Sequence, residues 1–219
     1  MNRIKSLILL FSLFVSAFTF ISCSETDDTV EEYPNWQNAN DTYFNKIHTE
    51  AKTAIASGDT SWKIFNSYAL NDSMAKNADD HIVVKVIKKG TGSGCPLYTD
   101  TVRVHYRGQL IPSTSYTNGY IFVESYSGDY DAETSAPVTF GVAAKEEGLS
   151  TALQNMHIGD RWIVYIPYNL GYGSTLQNST LFIPAYSTLI YDLTLVSYYR
   201  AGVNIPGFEA KQGGYWVEE

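Results

Sequence analysis

Apolar and polar positions follow three different patterns along this chain. From Leu7 to Ile21 the run is apolar throughout except for Ser12, Ser16 and Thr19. From 36 to 57 the apolar positions Trp36, Tyr43, Phe44, Ile47, Ala51, Ala54 and Ile55 fall close to helical spacing, and Gly58 interrupts them. That pattern predicts a helix over 36–57. Residues 59–80 carry no period and read as polar connector with short turns, anchored by Trp62, Ile64, Phe65 and Tyr68. From His81 the period becomes two, with Ile82, Val84 and Val86 on one side. In 102–107 alternation is strict: Val102, Val104 and Tyr106 share one face, Arg103, His105 and Arg107 the other. This is the signature of a half-buried antiparallel strand, and it sends Tyr106 into the core and His105 into solvent. Further strands are predicted at 161–166 and 188–198, where Leu189, Tyr191, Leu193 and Leu195 share a face. Between strands, Leu149, Ala152, Leu153 and Met156 lie at i, i+3, i+4 and i+7, one face of a short helix. A single short helix on an antiparallel sheet predicts an α+β fold, here with an N-terminal helical extension.

The apolar run follows Arg3 and Lys5 and ends at Ser22-Cys23. That is a secretory signal, 1–22, rather than a span, because its fifteen residues fall short of the about 20 that a membrane helix needs. Ser22-Cys23 also resembles a bacterial lipobox, which implies acylation of Cys23 and a lipid anchor. Residues 23–35 follow as a tether with five early carboxylates and no base before Lys46. It resembles the acidic export tag of surface lipoproteins, and implies an outer-membrane, surface-exposed protein; the alternative faces the periplasm. The net charge of −8 argues against nucleic-acid partners. Cys95 is the only other cysteine, so no disulfide framework is expected if Cys23 is acylated. His48, His81, His105 and His157 show no ligand spacing and read as solvated, so no metal and no cofactor is expected. The remaining divisions are 36–80 as helical extension, 81–198 as the main domain and 199–219 as a tail. The helix at 36–57 reads as packed on its own domain, with a homodimer arm as the alternative.

One constellation carries chemistry. Val-His-Tyr-Arg-Gly at 104–108, Phe122, Pro-Val-Thr-Phe at 137–140, Ala-Leu-Gln-Asn-Met-His-Ile-Gly-Asp at 152–160, Ile-Pro-Tyr-Asn-Leu-Gly-Tyr-Gly at 166–173 and Ile-Pro-Ala-Tyr-Ser-Thr-Leu at 183–189 occur in this order. Together they resemble the FKBP-type peptidyl-prolyl isomerases over about 81–198. The resemblance implies a twisted antiparallel sheet wrapped around one short helix, and X-Pro segments of envelope or secreted proteins as partners. It implies Tyr106, Phe122, Ile183 and Tyr191 as pocket wall, with Tyr172 offering its hydroxyl to the substrate carbonyl. Phe182 would edge the pocket, and Glu146 would matter through its backbone N–H more than through its side chain.

Several positions depart from that family's pattern. Val123 stands where a carboxylate is usual, and Glu124, one residue on, points to the opposite face unless a bulge turns it. Leu149 replaces a larger floor residue, Val138 an aromatic, and Lys145-Glu146 an apolar pair. These changes imply a wider, more polar pocket: either a slow isomerase or an FKBP-like binding lipoprotein that holds proline-containing peptides without turnover. A nutrient-binding lipoprotein using its aromatics as sugar platforms is the third reading.

Overall fold

The structure is a computed structural model and describes residues 30–177, 181–201 and 214–218. The signal segment, Cys23 and the tether as far as Thr29 lie outside the described residues. Helix α1 runs from Trp36 to Ala56, as its periodicity predicts. Strand β1 (Trp62–Asn66) follows, then β2 (His81–Lys88), β3 (Thr101–Gln109), β4 (Ile121–Glu124) and β5 (Val138–Gly141). The short helix α2 (Glu147–Leu153) leads into β6 (Arg161–Ile166), β7 (Leu189–Ala201) and β8 (Gly214–Val217). The strands form one antiparallel sheet in the order β1-β2-β6-β7-β3-β4, with β5 also on the edge of β3 and β8 on β7.

Alternation sorts the two faces. Trp162, Val164 and Ile166 of β6 and Leu189, Tyr191, Leu193 and Leu195 of β7 are buried against α2. The helix can lie this close to β6 because residue 148 has no side chain: a Cβ there would sit 2.3 Å from Ile166 Cγ2. A register shift opposite Arg103/Val104 skips Val196, so that Tyr198, out of phase with Leu195, also joins the core.

Two expectations fail, each through contacts between segments distant in sequence. Residues 59–80 are not wholly connector. Trp62–Asn66 pairs with His81–Lys85, and Phe65 stacks on Trp162 at 5.8 Å. The burial of Trp62, Ile64 and Phe65 comes from long-range pairing, which a five-residue run without clear alternation does not announce. His105 is not solvated either; it is 3% exposed. The chain after β4 crosses back over the sheet and places Tyr130 5.2 Å from the imidazole. Arg107 pins this crossing by donating to the carbonyls of Tyr126 (3.3 Å) and Gly128 (2.6 Å). Arg161, held by two bonds to Asp192 (2.9 and 2.6 Å), lies 4.6 Å from the ring of Tyr130.

Helix α1 covers the outer face at the other end. Phe44 and Ala51 bury Val83 of β2, with Ile47, Trp62, Ile64 and Tyr165 around them. β2 is therefore buried on both faces, which explains its run Ile82-Val83-Val84 of fully buried residues. The end of β7 turns out to be paired too: Tyr198–Ala201 pairs with β8 inside the predicted tail.

Candidate functional site

The site lies on the concave face of the sheet, where β3, β4, β5 and β7 converge over α2. Register decides which side chains meet. Gly108 of β3 lies opposite both Tyr191 on β7 and Val123 on β4. A Cβ at Gly108 would be 2.6 Å from Phe122 Cζ and 2.7 Å from Tyr191 Cε1, so the two rings close over a gap that only glycine leaves. They meet edge to face, centroids 5.6 Å apart at 88°. Tyr106 stacks on Tyr191 at 6.2 Å and meets Phe140 at 5.7 Å. Each such pair is worth roughly 0.5–1.5 kcal/mol beyond burial, so the rings form a rigid, dry cage. Leu149 and Ile183 are fully buried in the same cluster, and Tyr172, Val123 and Val138 pack against it.

β4 reaches this cage through a bulge. Gln109 pairs with Ile121 and Gly108 with Val123, leaving Phe122 as the extra residue. Phe122 and Val123 thus both lean toward the core. The bulge does not bring Glu124 inward. Its carboxylate accepts from Arg107 Nε at 3.1 Å on the outer face. Phe182 is also outside the cage. It is 54% exposed, has a φ of 46°, and turns its ring to Tyr120 at 6.4 Å.

A carboxylate does reach the rings from another element. Glu146 occupies the N-cap position of α2 without a side-chain capping bond, and its carboxylate accepts a hydrogen bond from the Tyr191 hydroxyl. Its charge also bears on the Tyr172 hydroxyl. Burial, and then this carboxylate, push both phenols above their ordinary range. Tyr106 is raised by the same two causes in the same order. All three hydroxyls therefore remain protonated donors at neutral pH. Lys145 lies over the opposite wall, its Nζ 4.1 Å from the Phe140 centroid and 5.7 Å from that of Tyr106. Besides the backbone N–H expected to matter, the Glu146 side chain is itself a polar group among the rings.

Ile183 is held in place from a distance. Its N–H and C=O pair with Gln177 at 3.0 and 2.9 Å. Beyond Pro184, Trp36 Nε1 donates to Ser187 Oγ (2.9 Å), and Thr188 N–H donates to Asn40 Oδ1 (2.7 Å). Asn40 is itself fixed by donating to the Trp36 carbonyl at 2.8 Å. Helix α1 thus braces the loop that carries Ile183. Sequence reasoning missed this brace and the contacts of the Glu146 carboxylate, the Lys145 cation and Phe140 with the rings, although it placed the Lys145-Glu146 pair at a more polar pocket. Phe140 also left a signal, since it shares a strand face with Val138. Among the described residues no three His, Cys, Asp or Glu side chains group to hold a metal, and no helix is long and apolar enough to cross a membrane.

The family model described as FKBP-type peptidyl-prolyl cis-trans isomerase matches residues 95–196, the stretch that holds every ring of the cage. These residues form an FKBP-type isomerase domain. Its relatives agree. The FKBP-type domain region is 36% identical to the macrophage infectivity potentiator of Trypanosoma cruzi over 116 residues, 53% of this chain and 52% of that one. It is 33% identical to the FKBP-type 22 kDa peptidyl-prolyl cis-trans isomerase of Escherichia coli K12, covering 51% and 47%. It is 33% identical to the outer membrane protein MIP of Legionella longbeachae, covering 53% and 44%. The matched part thus spans about half the length of these curated relatives.

Proposed function

We propose that this chain is a peptidyl-prolyl cis-trans isomerase that assists folding of extracytoplasmic proteins. The observation that carries the reading is the dry ring cage of Tyr106, Phe122 and Tyr191, with the Tyr172 hydroxyl beside it. Rotation about an X-Pro bond faces a barrier of about 18–20 kcal/mol because the amide is conjugated. No nucleophile or proton shuttle is needed. An apolar cage disfavours the charge-separated planar amide, and a hydroxyl donor fixes the carbonyl as it turns. Binding the twisted amide better than the planar one is the catalysis. A thousandfold acceleration needs only about 4 kcal/mol of such preference.

The test is isomerisation of a short X-Pro peptide by the chain purified in mild detergent. Turnover above background that disappears in Tyr172→Phe and Phe122→Ala supports the enzyme. Peptide binding without turnover supports the second reading, a silent FKBP-like binding module, which Val123 in place of a carboxylate favours.

The same reading extends to place. We infer a lipoprotein acylated at Cys23 in the outer membrane, its acidic tether directing it to the surface. Ser22-Cys23 behind the apolar run and the name of the Legionella relative support this. Metabolic labelling with a fatty-acid analogue, lost in Cys23→Ser, tests the anchor, and protease accessibility of whole cells tests the side.

A further inference from the structure

The carboxylate in the cage has no cation to pair with. The ion pairs among the described residues leave Glu146 out, and its partners are neutral phenols. Lys145, the next residue, is spent on the faces of Phe140 and Tyr106 instead. An ionised group half-buried among rings, with only hydroxyl donors, is incompletely compensated. The net charge of −8 adds to a field that attracts cations.

We propose that Glu146 is a specificity-determining residue that selects X-Pro segments in which X is Lys or Arg. The inference rests on the isomerase reading of this pocket. Tyr191 is a wall of the pocket that would take the X-Pro segment, and its hydroxyl donates to Glu146. The carboxylate therefore stands one hydroxyl away from the wall of that pocket. The side chain of X leaves the residue next to the proline, and only a long cationic chain reaches back to the acid. A Leu at X finds the apolar walls but leaves the charge unpaired. A Glu at X meets like charge.

The experiment compares Lys-Pro, Leu-Pro and Glu-Pro peptides of one length on the full chain in detergent, reading kcat/KM and peptide affinity separately. Glu146→Gln keeps an oxygen acceptor for the tyrosines and removes the charge. The wild type is expected to prefer Lys over Leu and Leu over Glu. In Glu146→Gln the Lys/Leu ratio should fall by about threefold to tenfold, the scale of one partly exposed ion pair. Raising salt should lower the wild-type rate on Lys-Pro selectively. Glu147→Gln is the control, because that neighbouring carboxylate bonds Ser67 away from the cage; its ratio should not move. An unchanged ratio in a folded Glu146→Gln protein overturns the proposal. Turnover on none of the peptides sinks the isomerase reading, and the affinity ratios then decide the role of Glu146 alone. Equal affinities for all three peptides, or no binding at all, overturn it there.

Discussion

Gly108→Ala is the sharpest probe of how the cage is built. The residue lies near the end of β3 without a positive φ, so its backbone accepts alanine and any effect comes from the added methyl. That methyl would lie 2.6 and 2.7 Å from Phe122 Cζ and Cε2 and 2.7 Å from Tyr191 Cε1. Ordinary carbon contacts sit at about 3.5–4.0 Å, so both rings must retreat by roughly 1 Å. They cannot do so independently, because each is the other's edge-to-face partner and Tyr191 is also stacked on Tyr106. Overpacking of this kind costs about 1–3 kcal/mol, which in urea lowers the unfolding midpoint by roughly 0.5–1.5 M with an unchanged slope. A 1 Å displacement of binding groups costs about 100-fold in rate. Gly141→Ala is the matched comparison, because there the nearest atom would be 4.0 Å away. It should be neutral or slightly stabilising, by less than about 1 kcal/mol. Urea melts and X-Pro kinetics on the two variants decide the matter. Equal behaviour of the two, or a Gly108→Ala protein with wild-type stability and rate, would refute the account of the cage.

Other outcomes follow from the same contacts. Asn40→Ala removes the acceptor for the buried Thr188 N–H and should destabilise by about 1–3 kcal/mol; it should raise KM for X-Pro peptides more than it lowers kcat, because Ile183 loses its brace. Trp36→Phe keeps the ring but drops the bond to Ser187, and should cost about 1 kcal/mol by thermal melt. Burial holds the His105 pKa below its unfolded 6.5, so the unfolded state binds the proton first. Stability is therefore complete above pH 6.5 and falls as pH drops below it; His105→Leu should flatten melts recorded from pH 7 to 5, the remainder coming from His48, which burial and then His81 and Lys52 also hold down. Val123→Asp should give little gain in kcat/KM while Glu146 is present and a larger one in a Glu146→Gln background, since two carboxylates at one cage repel. Equal gains in both backgrounds would show that Glu146 does not take that carboxylate's place.

Local pattern determined much of this protein. The 3.6-residue spacing from Trp36 to Ile55 was enough for α1, since one apolar stripe must be buried whatever lies beneath it. Alternation placed Tyr106 inward and Tyr191 on one face with Leu189, Leu193 and Leu195, because successive strand residues point to opposite faces. The Tyr106, Phe122, Tyr172 and Ile183 segments were legible together only through their joint resemblance to the FKBP-type isomerases, not through periodicity. Alternation says which face a residue takes but not what covers that face. His105 faces outward as its pattern requires, yet is buried, because a crossing some twenty residues away in sequence lies on top of it. Trp62–Asn66 became a strand only by pairing with β2. Register, too, is a tertiary property. It set Gly108 against Phe122 and Tyr191 and opened the bulge that left Glu124 outside. The Glu146 carboxylate reached the phenols across the cage by the same means, through contacts between residues 45 positions apart that no local pattern encodes.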